Sequence, residues 1–328
     1  MFNLDSPEVQ FAIDVVRLAA RLAQKIRNEM GKIAISKIDR SPVTVADFTV
    51  QALIAYFLKK KFPNDPLVGE EDSDVLMKSG DETVLARILE YMQLYIPQVD
   101  LTQVFDLIDI GKGEPANRYW TLDPIDGTKG FIRGQQYAVG LALIVDGKIE
   151  IGVIGCPNLK EAKYDDIGGI GSLVFAVRGA GAWYSALNQV EEKHLLKVSD
   201  RIKLEEAVLL RSLEDSHTNS EKTEQLMQSA GITNPPILMD SLAKYVLLAA
   251  GRGDIFIRFV PRSNPDYAEK IWDHAASVLM VEEAGGKVTD IEGKALDFTA
   301  GRTLCRNKGI LVTNQHFHEE ILNLLKQI

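Results

Sequence analysis

Residues 137–155 read YAVGLALIVDGKIEIGVIG, two apolar runs on either side of Asp146-Gly147. Asp-Gly suits a type I′ turn, whose twist matches that of two paired strands, so the stretch predicts a tight β-hairpin. A second hairpin is expected where SLVFAV, residues 172–177, meets RGAG and then AWY. Consecutive hairpins build an antiparallel sheet rather than a string of βαβ units.

Towards the N-terminus, Phe11, Val15, Leu18, Leu22 and Ile26 recur every three or four positions. They predict an amphipathic helix from Glu8 to Met30, capped by Gly31. Ala46, Val50, Leu53 and Phe57 mark a second helix, Val45 to Lys61. A short apolar run, Pro66 to Val68, breaks at Gly69 into the acidic EEDSD, and residues 72–113 suggest one helix, about Thr83 to Leu94. Beyond Val198 come an apolar run at Ala207–Leu210, helices near Glu221–Ala230 and Leu242–Ala250, the strand DIFIRFV, a helix over Ala268–Ala284, ILVTN and a closing helix. The pattern predicts an antiparallel α+β half, residues 1–200, and a more alternating α/β half, residues 201–328.

At 328 residues and 46% hydrophobic, the chain can bury a sizeable core as one large domain or two closely packed ones. Its net charge of −9 argues against broad binding to nucleic acid or anionic membrane. Two cysteines, Cys156 and Cys305, give neither a zinc spacing nor a disulfide scaffold. The N-terminus lacks a positive n-region, and no window reaches about 18 uninterrupted apolar residues. A cytoplasmic, soluble protein without a membrane partner is expected.

Immediately before the first hairpin, residues 120–131 read WTLDPIDGTKGF. Alone, Asp-Pro and Asp-Gly are turn chemistry. Two more acidic sites fall at comparable places: Glu70 and Glu71 after a strand, and Asp273 near a helix start. Such ends can converge on one cleft, where carboxylates raise each other's pKa unless a cation intervenes. Oxygen ligands without His or Cys suit Mg²⁺ or Mn²⁺. Each acid also has a plainer reading: Asp47 as a helix cap, Asp273 as a partner of the helix dipole, Glu70 and Glu71 as solvated loop residues. The histidines lack zinc-ligand spacing, there is no GxSxG elbow, and His274 reads as a hydrogen-bonded structural residue.

GEE at 69–71, WTLDPIDGTKGF and KIWDHAA at 270–276 together resemble the inositol monophosphatase superfamily of metal-dependent, lithium-sensitive phosphatases, in order and over nearly the whole chain. SPVTVAD, the Lys-Gly-Phe after DGT, DSLAKY at 240–245, KIWDHAA and LDFTAGRTL at 296–304 resemble the branch that removes the 3′-phosphate from 3′-phosphoadenosine 5′-phosphate.

The resemblance implies a layered αβαβα sugar-phosphatase-like fold, with a large antiparallel sheet in the N-terminal half and a smaller mixed sheet in the C-terminal half. It implies two or more Mg²⁺ ions, with Glu70 and the Ile125 carbonyl on the first, Asp123 bridging both, and Asp126 and Asp273 on the second. Gly127 and Thr128 would present backbone N–H groups to the scissile phosphate, and Thr128 and Asp47 would orient the attacking water. Ser241, Lys244 and Arg258 would meet the phosphate that stays. His217, in SHTNS, would stand on the adenine side, and Ser277 departs from the glycine of many relatives. The implied partner is a bisphosphorylated small nucleotide; no obligate protein partner is evident.

The chemistry needs such a cluster. Enzymes accelerate phosphate monoester hydrolysis by up to ~10²¹, whereas one general acid or base supplies about 10² to 10⁴. Three rivals remain: an inositol monophosphatase or polyphosphate 1-phosphatase, a haloacid dehalogenase-type phosphatase, and a catalytically inactive metal-dependent binding protein. The second needs acids two apart, and Asp123 and Asp126 are three apart. Lys244 and Arg258 favour a substrate with a second phosphate.

Overall fold

The computed structural model describes residues 2–30, 34–36, 42–213, 220–261 and 264–327. Strands Ala138–Val145 and Lys148–Cys156 pair antiparallel, and Asp146 and Gly147 turn between them at φ 49° and 74°, as a type I′ turn requires. Ser172–Val177 and Gly181–Ala186 form the second hairpin. With Gln189–Leu195, Arg118–Asp126 and Leu67–Gly69 they complete a seven-stranded sheet. It is antiparallel except at one edge, where Leu67–Gly69 runs parallel to Arg118–Asp126. A five-stranded sheet follows the order Ile237–Leu238, Leu209–Arg211, Ile255–Arg258, Ile310–Thr313, Lys287–Thr289. It is parallel on one side and antiparallel on the other.

Alternation along the strands decides the layering, because successive side chains point to opposite faces. Val139, Leu141, Leu143, Leu173 and Phe175 join the core beneath helices Pro7–Met30 and Val45–Lys61. Ala138, Ala142, Val174 and Ala176 join a second core with helices Ala243–Ala249 and Ala275–Glu283. Small residues dominate that face because the layers approach closely: a Cβ on Gly152 would lie 2.4 Å from the Ala276 carbonyl oxygen. The five-stranded sheet lies beyond these helices, and its far face packs Leu209, Ile255, Ile257 and Leu311 with Leu226 and Ile321 of helices Ser220–Ser229 and His318–Leu325. The order of layers is therefore αβαβα, as expected.

Residues 72–113 hold three helices instead of one: Ser73–Ser79, Glu82–Gln93 and Leu101–Asp109. Asp72, Asp81 and Asp100 cap them by accepting backbone N–H bonds, Asp100 in a capping box with Gln103. The helix expected over 268–284 is Ala275–Glu283, because Glu269–Ile271 bonds to Arg302–Leu304 as extended chain. Gly31 lies outside the described residues.

Candidate active site

Asp123 and Asp126 stand three apart on one strand, a spacing that in a regular strand would send them to opposite faces. A bulge reverses this. Asp123 pairs with Gly140 and Asp126 with Ala138, so three steps on one strand match two on the other. Both acids therefore face the C-terminal helices, while Ile125 between them is buried in the opposite core. Pro124, having no N–H to give the ladder, fits the irregularity. The face is close to its neighbour: a Cβ on Gly140 would meet Leu242 Cδ1 at 2.6 Å. The chain then turns at Gly127, φ 85°, into helix Thr128–Arg133, and Thr128 Oγ1 donates to the Ile125 carbonyl at 3.2 Å.

Around this corner the other acids gather. Burial, then Glu70, Asp126, Asp273 and Asp47, push the Asp123 carboxyl well above its ordinary value. Asp273 is raised by burial, against the pull of Arg258, with Asp126, Glu70 and Glu269 adding to the rise. Burial raises Asp126 too, although Lys244, the Leu242 N–H and Arg258 pull it back. Asp126 accepts a short bond from that Leu242 N–H. Asp123 Oδ1 is buried without a hydrogen-bond partner among the described residues. Mutually repelling carboxylates with a buried bare oxygen are costly, and a hard divalent cation would relieve both faults. The donor set fits Mg²⁺.

Cations line the other side. Lys244, buried on helix Ala243–Ala249, donates to the Ser241 carbonyl at 3.1 Å, and burial pulls its pKa down to about 8 despite Asp126. Ser241 itself holds φ 71°, rare for a residue with a side chain, and a Cβ on Gly127 would come within 2.8 Å of its own Cβ. Arg258 ends strand Ile255–Arg258, with Nε 3.0 Å from Glu269 Oε1 and a terminal nitrogen 3.9 Å from Asp273 Oδ2. Burial opposes its charge, but Glu269 and Asp273 outweigh that and raise its pKa.

Every site residue expected from the sequence except one is thus found at this junction. His217 lies outside the described residues. Glu269 was missed, although it organises the cation side. Its other oxygen lies 3.1 Å from His274 Nε2, and His274 Nδ1 is 2.7 Å from the Tyr245 hydroxyl. Burial holds that imidazole below its usual pKa, so a neutral ring donating to Glu269 and accepting from Tyr245 satisfies all three. Glu269, Asp273 and His274 offer atoms within 4.8 Å of one another, but Arg258 and His274 already occupy Glu269, which marks a brace. Ser277 is buried in its helix and donates to the His274 carbonyl.

Comparison with known proteins agrees with this architecture. The family model for the inositol monophosphatase family matches residues 5–328. A 3′(2′),5′-bisphosphate nucleotidase from Schizosaccharomyces pombe is 40% identical over 96% of this chain and 94% of its own, and one from Emericella nidulans is 39% identical over 95% and 96%. Among solved structures, the extragenic suppressor protein suhB from Bartonella henselae superposes with a TM-score of 0.69 at 24% identity, covering 98% of this chain and 99% of its own. These relatives and this fold define a phosphoric monoester hydrolase. The chain belongs to the inositol monophosphatase family. Magnesium dependence and sensitivity to lithium are typical of that family. No helix among the described residues is long and apolar enough to cross a membrane.

Proposed function

We propose that this enzyme removes the 3′-phosphate of 3′-phosphoadenosine 5′-phosphate, giving AMP and phosphate by direct attack of water, without a covalent intermediate. The observation that carries the reading is the two-sided site: carboxylates around Asp123 on one side, buried Lys244 and half-buried Arg258 on the other. One phosphate needs only the first side; a bisphosphate uses both. The names of the relatives favour a nucleotide over an inositol as the carrier.

Glu70, Asp123, the Ile125 carbonyl, Asp126 and Asp273 would hold two or more Mg²⁺ ions. Bound there, the ions supply a nucleophile from water near neutral pH and offset charge on the phosphoryl and leaving oxygens. Thr128 is a weak base, so its hydroxyl orients the water, with Asp47 behind it. The Gly127 and Thr128 N–H groups, at a sharp turn into a helix, direct positive dipoles at the scissile phosphate. Ser241, Lys244 and Arg258 take the phosphate that stays, Arg258 and Lys244 through charge-assisted bonds. A cytoplasmic setting accompanies this reading, in keeping with two unbonded cysteines.

Phosphate release with Mg²⁺, measured in parallel on 3′-phosphoadenosine 5′-phosphate, inositol 1-phosphate and inositol 1,4-bisphosphate, tests it. A strong preference for the nucleotide is expected. Preference for either inositol phosphate would overturn the substrate and keep the hydrolase.

A further inference from the structure

Arg302 lies outside the set of residues so far given a role, yet it touches both approaches to the carboxylate cluster. Its guanidinium donates to the Gly69 carbonyl at 2.5 Å, to Gly111 at 3.2 Å and to Gly113 at 2.9 Å. Gly69 is the residue before Glu70. Its own N–H bonds to the Gly111 carbonyl at 2.8 Å, so the three acceptors belong to strand Leu67–Gly69 and to the turn beside it, residues 111–113, that follows helix Leu101–Asp109. The Cζ of the same guanidinium lies over the Trp272 ring, 5.1 Å from its centroid, and Trp272 is the residue before Asp273. The backbone of Arg302 adds a further tie: its carbonyl accepts from Ile271 N–H at 3.3 Å, beside the Lys270–Thr303 bridge and the Leu304 N–H to Glu269 carbonyl bond.

We infer that Arg302 is a positioning residue for the metal site, a clamp that fixes Glu70 relative to Asp273 and so presets the separation of two carboxylates from opposite halves of the chain. The inference rests on the proposed metal ligands. An arginine suits the task for a physical reason: its planar fork donates in several fixed directions at once and its face stacks on an aromatic ring, whereas a lysine ammonium is a point charge on a flexible stem. Its three acceptors are neutral carbonyls, which makes this an orienting contact and not a charge pair with the ligands. Residues that orient metal ligands from outside typically change metal affinity by about 10- to 100-fold when lost.

The test compares Arg302→Ala, Arg302→Lys and Asp123→Asn with the parent protein. Mn²⁺ binding is followed by electron paramagnetic resonance without substrate, and folding by circular dichroism. Arg302→Ala is expected to bind Mn²⁺ about 10-fold or more weakly and to need correspondingly more Mg²⁺ for half-maximal turnover, with KM for substrate little changed at saturating metal. Arg302→Lys, which keeps the charge and loses the fork, should also bind metal more weakly; it decides the question if the alanine variant does not fold. Parent-like Mn²⁺ affinity in a folded Arg302 variant, with binding abolished in Asp123→Asn, would overturn the clamp and leave the metal site intact. Unchanged binding in Asp123→Asn as well would overturn the ligand assignment on which the clamp depends.

Discussion

At the scale of single residues, Asp123 is the most exposed to test. Asp123→Asn keeps the shape and removes one charge from a repelling group, so in EDTA its urea midpoint should equal or exceed the parent's. Turnover should fall by roughly 10²- to 10³-fold, the scale on which one preorganised electrostatic group acts. Near-normal turnover in the folded variant would remove Asp123 from the chemistry. Arg258→Ala is expected to raise KM about 10-fold or more for a 3′,5′-bisphosphate, the worth of a charge-assisted hydrogen bond, and much less for a monophosphate. Equal rises for both would show that Arg258 does not read the second phosphate. Asp123 and Asp126 were legible through the resemblance that WTLDPIDGTKGF carries, since Asp-Pro and Asp-Gly alone read as turn chemistry. Glu269 and Arg302 were not, since what they touch is remote: the Arg302 contact with Gly69 spans 233 residues.

At the scale of elements, legibility followed locality. The hairpin at Asp146-Gly147 was readable because two residues set its turn, and the helix Val45–Lys61 because apolar residues recur along it, although residues 45–55 are buried all round rather than along one stripe. Helix Ser73–Ser79 escaped because it is too short for a clear period; Leu101–Asp109 does place Leu101, Val104, Phe105 and Ile108 at helical spacing, a signal left unread, and the caps Asp72 and Asp100 were further signals. The start of helix Ala275–Glu283 was misplaced because pairing with Arg302–Leu304 competes with helix formation over 269–271. Packing between layers also makes a prediction. Gly152 does not use a glycine-only backbone, yet its Cβ would strike the Ala276 carbonyl oxygen and stand 3.1 Å from its carbon. Gly152→Ala should therefore destabilise the protein by about 1–3 kcal/mol through overpacking, read as a lower urea midpoint. An unchanged midpoint would mean that helix Ala275–Glu283 yields to the sheet.

For the whole molecule, the closing helix supplies a pH signature separate from catalysis. His318 is buried between the Thr289 and Thr313 hydroxyls, and burial, then Lys287, hold its pKa down to about 4, with Glu319 opposing. Unfolded, it would titrate near 6.5. Between these values the unfolded chain binds more protons, so stability rises with pH and is lost as pH falls from about 6.5 towards 4. His318→Asn should flatten that part of the curve relative to the parent, measured as urea midpoint against pH. Parallel curves would show that His318 titrates normally. A last consequence belongs to the bulge in strand Arg118–Asp126. A nascent chain has to fold before it can gather cations, and meanwhile five carboxylates, those of Asp47, Glu70, Asp123, Asp126 and Asp273, repel one another. In the proposed site the extra residue of the bulge would bring in the Ile125 carbonyl, whose second lone pair remains after the Thr128 bond. It would enlarge the proposed oxygen cage at zero charge, so that the newly made protein would gain a donor without a sixth anion to hold together before metal binds.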